Sequence, residues 1–407
     1  MIYLHPLYID PGTGSILFSI IIGSAAVLYF LLRGLILKLR TFLSGGKINA
    51  KNNFKWKYVI YNEGKQYWNV FKPIIEEFEK NKTDLRYLTS ASDDPVFNAA
   101  WNHIHPEYIG EGNKAFLYLN FLSAQVVLMT TPGLNVYQLK RSKTVKHYSH
   151  ILHAPSDATA YRLFGLDYFD SVLLTGDYQG EDIRFLEKQR GLPEKKLVTV
   201  GCTYLDVYSE KIRQIQKEES SVLTVLVSPS WGSSAILSRY AEKLIDPLRD
   251  SGWRVIIRPH PQSKKSEKTI LDRLENRYKN NGNILWDYEP ENIYSINKAD
   301  IMISDFSGII FDFMFLRDKP VLFVNNDFDL RPYDADDLDH EMWQFKIIKD
   351  AGIEIRENDF PQITEIIKKA TDSISLANAR KKALETAWQH RGEAGKCVFN
   401  FMTGIME

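Results

Sequence analysis

The chain has 407 residues, more than one ordinary domain holds, so two domains sharing a cleft is the natural organisation. Lysine plus arginine (51) equals aspartate plus glutamate (51), so no overall field recruits nucleic acid, and no nucleic-acid partner is expected. Cys202 and Cys397 lie far apart and outside any CxxC spacing, which argues against a disulfide framework or a cysteine zinc site and fits a reducing, cytoplasmic setting.

The first element in chain order is apolar. Ile16 to Leu32 (ILFSIIIGSAAVLYFLL) carries no charge, and the apolar character resumes after Arg33 as far as Leu37. A signal peptide would start with a basic region, whereas Asp10 precedes this run and Arg33, Lys38, Arg40, Lys47 and Lys51 follow it. The pattern predicts an N-terminal transmembrane helix with the body of the chain on the cytoplasmic side, and an interfacial helix is the milder alternative. Residues 1–53 are thus expected to form a membrane anchor and basic juxtamembrane segment, giving a cell-membrane location, single-pass or peripheral.

From Phe54 onward, apolar runs of strand length alternate with helical patterns, as in a parallel sheet built from βαβ units. Strands are expected near Lys57–Tyr61, Leu85–Thr89, Ala115–Leu119, Gln125–Thr130, Lys146–Leu152, Ser171–Leu174 and Leu197–Gly201. The charged segment Glu210–Ser221 reads as a helix leading into a boundary, which divides the rest into 54–218 and 219–407. The alternation then restarts, with strands at Val222–Val227, Arg254–Ile257, Asn283–Trp286, Asp300–Ile303 and Val321–Val324. Helices are expected around Ala235–Arg249, Ser266–Tyr278, Glu291–Asn297 and Gly308–Phe315. The fold class is α/β, with two Rossmann-like domains facing a cleft, and ligands in such sheets bind beyond the carboxyl ends of the strands.

Strand exits are therefore where chemistry should be sought. After Ile257 come Arg258 and His260, each beside a proline: a fork of donors suited to phosphate, and a ring that can donate or protonate. A turn in which both cap carbonyls is an equal alternative. Ile301–Phe313 (IMISDFSGIIFDF) runs from a strand through Ser304, Asp305, Ser307 and Gly308 into a helix, a phosphate cradle of free N–H groups at a positive dipole end. Asp305 or Ser307 could also be a helix N-cap, and Asp312 reads as a satisfied core group. The stretch has neither GxxxxGK[ST] nor GxGxxG.

His147, His150 and His153 lie in VKHYSHILHAP. On a strand the middle one faces the other way, which sets a metal site aside and leaves His153 at the exit as a candidate general base, against the commoner structural histidine. The loop Trp286–Glu291 (WDYEPE) could bind ribose or a base through Glu289 and Pro290, or be a solvated turn. Tyr333–Asp339 (YDADDLD) reads as a solvated acidic surface run, its spacing too irregular for a divalent cation, so no cofactor is assigned beyond that bare option.

Arg258-Pro259-His260-Pro261, then Ser304-Asp305-Phe306-Ser307-Gly308, Phe311-Asp312 and Lys319-Pro320, resemble the carboxyl-terminal half of the CDP-glycerol glycerophosphotransferases, the teichoic-acid primases and polymerases. Weaker echoes are Leu226–Trp231, Val200–Asp206 and Trp286–Pro290, and the resemblance spans roughly His150 to Asp334. It implies a GT-B fold and a membrane-associated enzyme. The implied reaction moves glycerol phosphate, or a related polyol phosphate, from CDP-glycerol to a hydroxyl of a lipid-linked or envelope acceptor and releases CMP. His153 and His260 would be catalytic, with Arg258, Ser304, Asp305, Ser307 and Gly308 on the phosphates. The family's WHGTPLK-like motif keeps its histidine here as His153, but its tail is replaced by Ala154-Pro155-Ser156-Asp157, and Gly308 stands where the family has a second serine. A GT-B glycosyltransferase or epimerase using a UDP-sugar is the other enzymatic expectation; an inactive membrane scaffold is the non-enzymatic one.

Overall fold

The computed structural model describes residues 55–215, 222–325 and 329–405. The expected membrane anchor at Ile16–Leu32 lies outside the described residues. Among the described residues, no helix is long and apolar enough to cross a membrane.

Two parallel sheets organise the chain. The first has strands β1 (Trp56–Asn62), β2 (Leu85–Thr89), β3 (Ile104–Tyr108), β4 (Ala124–Met129), β5 (Val145–Ile151), β6 (Ser171–Leu174) and β7 (Lys196–Thr199), in the order β3-β2-β1-β4-β5-β6-β7. The second has β8 (Thr224–Val227), β9 (Arg254–Ile257), β10 (Ile284–Trp286), β11 (Ile301–Ser304), β12 (Val321–Phe323) and β13 (Ile353–Glu354), in the order β10-β9-β8-β11-β12-β13. Helices on both faces explain why the central strands are apolar without alternation: TVLV of β8 and IMIS of β11 are buried at every position. Each fully buried branched side chain of this kind contributes about 1.5–3 kcal/mol. The strand order reverses between β1 and β4 and between β8 and β11, which puts a crevice beyond the carboxyl ends of each pair.

Two local expectations need correction. Ala115–Leu119 is part of a helix, Asn113–Asn120, because only Ala115 and Leu119, four apart, face the core. The edge strand β3 takes its place, with Pro106 tolerated at an edge where one side of the ladder is open. The long helix expected at Ala235–Arg249 is broken into Ile236–Arg239 and Ala241–Asp250, with Ala241 at φ +26°.

The span 219–407 is not one body with the second sheet. The last helix, Ala394–Gly404, returns to the first sheet, where Val398, Phe401 and Met402 share a core with Phe71, Ile74 and Phe78 of the helix Trp68–Lys80. Gly395 permits the approach, since a Cβ there would stand 2.7 Å from the Pro73 carbonyl oxygen. Asp206 holds the start of this helix by accepting from the N–H groups of Gly392 (2.8 Å) and Ala394 (3.1 Å) and from the Trp388 indole (2.9 Å).

The acidic run Tyr333–Asp339 is also not the solvated surface stretch its composition suggests. Asp334 is 2% exposed and accepts from the backbone of Phe164 (2.7 Å) and Gly165 (3.0 Å) and from Arg190 (2.7 Å), which reaches Asp337 as well. These contacts join the second half of the chain to the loops of the first sheet. His340 adds a contact to Asp182 at 2.9 Å, and these two aspartate neighbours, Asp339 and Asp182, raise the His340 pKa. Carboxylates spent on a guanidinium and on amides are not arranged around a cation. Among the described residues, no cluster of three histidine, cysteine, aspartate or glutamate side chains is placed to hold a metal ion.

Candidate functional site

The rear wall is built from loops at the exits of β8, β9 and β11. Ser304 ends β11 fully buried, and its hydroxyl donates to the Ser228 carbonyl at 2.6 Å. Asp305 accepts from the N–H groups of Ser230 (2.8 Å) and Ile236 (3.1 Å), tying the loop after β8 to the loop after β11 across the reversal of strand order. Burial raises its pKa while those two N–H bonds oppose the rise. Both residues expected to bind phosphate are thus framework, and their side chains are committed to the protein. Ser307 and Gly308 differ: Ser307 is half-buried, Gly308 is exposed, and they lead into the helix Ile309–Arg317. Gly308 is the N-cap, with φ −60°, and a Cβ there would meet nothing within 4 Å. The N–H groups of Ile310 and Phe311 already donate to the Ser307 and Gly308 carbonyls, so it is the other N–H groups opening the helix, with its positive dipole end, that can face an anion.

Beside this turn lies a cavity of about 310 Å³ lined by Ser307, Ile310, Phe311, Phe323, Asn325 and Gln344, among others. Its size is at the lower end for small-molecule sites, and its lining mixes aromatic and aliphatic groups with amides and with the charged side chains of Asp305, Glu341 and Lys349.

Arg258 is not the free phosphate clamp that its place after β9 suggests. It is 8% exposed, with Nη1 2.5 Å from the Asp287 carboxylate and Nη2 2.7 Å from the Glu289 carbonyl and 3.5 Å from that of Pro290. Burial pushes Asp287 up, but the Ser295 hydroxyl, the Glu289 N–H and Arg258 together hold its pKa below the usual carboxylate value. The arginine therefore shapes the loop at Glu289 and Pro290, and those two residues touch it through their carbonyls. His260 remains available. Its Nδ1 accepts from the Gln262 N–H at 3.1 Å, which places the proton of the neutral ring on Nε2 as a donor. Burial lowers its pKa, partly opposed by Glu267. Trp231, half exposed at 49%, stacks on His260 with ring centroids 6.2 Å apart.

The front wall belongs to the first sheet. His153 follows β5, half-buried, with Nδ1 2.9 Å from the Thr130 hydroxyl at the exit of β4 and 3.1 Å from the Tyr161 hydroxyl. The Tyr67 ring meets its edge at 5.0 Å. Burial lowers the His153 pKa to about 4, so the ring is neutral near pH 7, and Nε2 is the nitrogen left for a ligand. Glu63, at the exit of β1, adds to the burial that lifts Tyr67 to about 12.

The two walls are joined a few residues beyond His153. Asp157 accepts from the N–H groups of Trp343 (3.2 Å) and Gln344 (2.7 Å), capping the helix Trp343–Ala351 from the other sheet's side of the molecule. Burial and the neighbouring Asp182 raise Asp157 to about 7, against those N–H bonds. Trp343 packs on Tyr178 at 4.1 Å and on Phe311 at 5.7 Å, so the segment after His153 connects to the helix that follows the Ser307–Gly308 turn. The helix that Asp157 caps begins 186 residues further along the chain. Thr130, Tyr161, Trp231 and Asp157 are the site residues that strand-exit reasoning passes over, and Thr130 alone carries the signal, being the first residue after a strand.

The sequence that builds the rear wall carries a family match. Residues 179–340 match the CDP-Glycerol:Poly(glycerophosphate) glycerophosphotransferase family. The matched segment holds Arg258, His260 and Ser304 to Gly308, begins after His153, and supports a transferase. No curated protein matches the chain. Solved structures similar to it include the UDP-GlcNAc 2-epimerase of Methanocaldococcus jannaschii, in complex with UDP-GlcNAc and UDP (15% identity, TM-score 0.56, covering 86% of this chain and 99% of that one). The UDP-GlcNAc 2-epimerase of Neisseria meningitidis, bound to UDP-GlcNAc, is similar at 13% identity and TM-score 0.55, covering 86% and 100%. A glycosyltransferase from Rickettsia africae follows at 11% and 0.51, covering 86% and 99%. These likenesses establish the fold: two parallel α/β sheets resembling the GT-B glycosyltransferases and epimerases.

Proposed function

We propose that this chain transfers glycerol phosphate, or a related polyol phosphate, from a CDP-linked donor to a hydroxyl of a lipid-linked or envelope acceptor, releasing CMP. The observation that carries the reading is the turn Ser307–Gly308 opening the helix Ile309–Arg317 beside the 310 Å³ cavity, inside the segment that matches the glycerophosphotransferase family. The donor's diphosphate rests on that turn, with the His260 Nε2–H as a second donor, and His153 on the front wall meets the reacting oxygens. Phosphoryl transfer asks for this kind of positioning and charge stabilisation, with little covalent chemistry from the protein.

The fold likeness to epimerases bound to UDP-GlcNAc favours a second reading, a UDP-sugar enzyme on the same scaffold. Incubating the full-length chain with CDP-glycerol, CDP-ribitol and UDP-GlcNAc, with and without acceptor, and identifying the released nucleotide separates the two. Acceptor-dependent CMP release is expected; UDP release alone would replace the first reading by the second. The apolar run Ile16–Leu32 supports an anchor in the cell membrane with this site on the cytoplasmic side. Removing residues 1–40 is expected to move the protein from the membrane pellet to the supernatant, and a truncated chain that still pellets would count against the anchor.

A further inference from the structure

Behind His153 lies an unbroken line of polar side chains. His150 Nε2 is 3.1 Å from the Tyr161 hydroxyl, that hydroxyl is 3.1 Å from His153 Nδ1, and the Thr130 hydroxyl stands 2.9 Å from the same Nδ1. His150 is fully buried, and its own Nδ1 is buried without a hydrogen-bond partner. A buried N–H with no acceptor is rarer and costlier than a buried lone pair with no donor. The His150 proton therefore belongs on Nε2, donated to the Tyr161 oxygen. Tyr161 then has its own hydroxyl proton to place. In the group formed by Tyr161, Thr130 and His153 Nδ1, the ring nitrogen is the one member without a hydroxyl proton of its own. It accepts, and the proton of the His153 ring lies on Nε2.

We infer that the buried His150–Tyr161 pair holds His153 in its Nε2–H form, so that the ring meets the substrate as a hydrogen-bond donor to an oxygen of the phosphoryl group in transfer, in place of the general base expected from its position. The inference rests on the phosphotransfer reading above. In the reaction the acceptor oxygen bonds to phosphorus as the bond from phosphorus to the CMP oxygen breaks. CMP leaves with that electron pair, the hydroxyl proton passes to water, and His153 starts and ends with the same proton. A loose transition state spreads charge over the equatorial oxygens, where a fixed neutral donor acts without reorganising. His260, whose Nδ1 is occupied by the Gln262 N–H, likewise carries its proton on Nε2 when neutral. Tyr161 and His150 are positioning residues, acting through His153.

The test begins with the full-length chain labelled with ¹⁵N-histidine, the His153 signals being assigned by their loss in His153→Gln. At neutral pH, Nδ1 is expected at a pyridine-like shift and Nε2 at a pyrrole-like shift, and Tyr161→Phe should draw the two toward an average. The reverse pattern in the wild-type chain overturns the inference. Glutamine can offer an N–H near the Nε2 position but cannot take a proton from a hydroxyl. His153→Gln should keep kcat within about tenfold of wild type, while His153→Ala should fall by about 10²–10³, the usual loss for one donor to developing charge. A glutamine variant as inactive as the alanine one makes His153 a base and defeats the proposal; full rates in both remove His153 from the reaction altogether. If no nucleotide donor reacts with the wild-type chain, the phosphotransfer reading fails by itself, and the ¹⁵N shifts still decide the tautomer.

Discussion

Asp312 shows how far one residue's environment can depart from its type. It sits on the helix Ile309–Arg317, half-buried, with the Tyr204 hydroxyl and the Asn292 amide (3.2 Å) against its carboxyl, and burial lifts its pKa to about 8. Asn292 Oδ1 is itself buried without a donor, and a protonated Asp312 facing a rotated amide would supply one. A carboxyl raised from 3.8 to about 8 on folding binds more protons in the native state than in the unfolded chain. Its contribution to stability is therefore complete below about pH 4 and is lost as pH rises toward 8. The thermal midpoint of the wild-type chain should fall between pH 6 and 8, and Asp312→Asn should flatten that slope; equal slopes in both proteins would refute the assignment. Gly308 is the opposite case. Open space around its missing Cβ and a φ of −60° mean that glycine is not required by the backbone. Gly308→Ser should leave the melt within about 0.5 kcal/mol of wild type, and any change should appear in donor KM.

At the scale of elements, the site depends on loops that hold one another. Asp305 fastens the loop after β8 to the loop after β11, and Arg258 fastens the loop after β10 to the exit of β9. Asp305→Ala would leave two N–H groups without their acceptor, at a cost of about 1–3 kcal/mol each when buried. Chemical denaturation should show the loss, and nucleotide affinity should drop with it. Unchanged stability would mean that water replaces the carboxylate and that Asp305 is dispensable to the frame. The expectations that failed at this scale failed for a local reason. Ala115–Leu119 is a five-residue apolar run that either periodicity accommodates, and only its packing, with Leu117 turned outward, distinguishes helix from strand.

At the scale of the molecule, the two sheets are held by ion pairs and caps distant in sequence. Arg190 binds Asp167, Asp334 and Asp337 at 2.6–2.8 Å, with Asp334 nearly inaccessible. Arg190→Ala leaves a buried carboxylate without its partner, a change that costs about 3–5 kcal/mol in comparable sites. The variant should unfold at lower denaturant and be cut by protease in the segment 329–343 before the rest of the chain. A wild-type digestion pattern would show that the backbone amides of Phe164 and Gly165 suffice to hold Asp334.

The sequence by itself determined the elements and the places to look. Parallel strands buried on both faces read as apolar runs, and ligands gather where such strands end, so residue order alone marks His153, His260 and the Ser307–Gly308 turn as candidates at strand exits. Tertiary structure alone decided what the polar side chains at those places are used for. Arg258 and Asp305 have the chemistry of phosphate ligands but spend it on Asp287 and on the loop after β8, the acidic run at Tyr333–Asp339 is a fastening to Arg190, and the last helix closes on the first sheet. The reason is physical. Secondary structure follows from periodicities within a few residues, whereas the partner of a buried charge is set by which distant segments the fold brings within hydrogen-bonding reach.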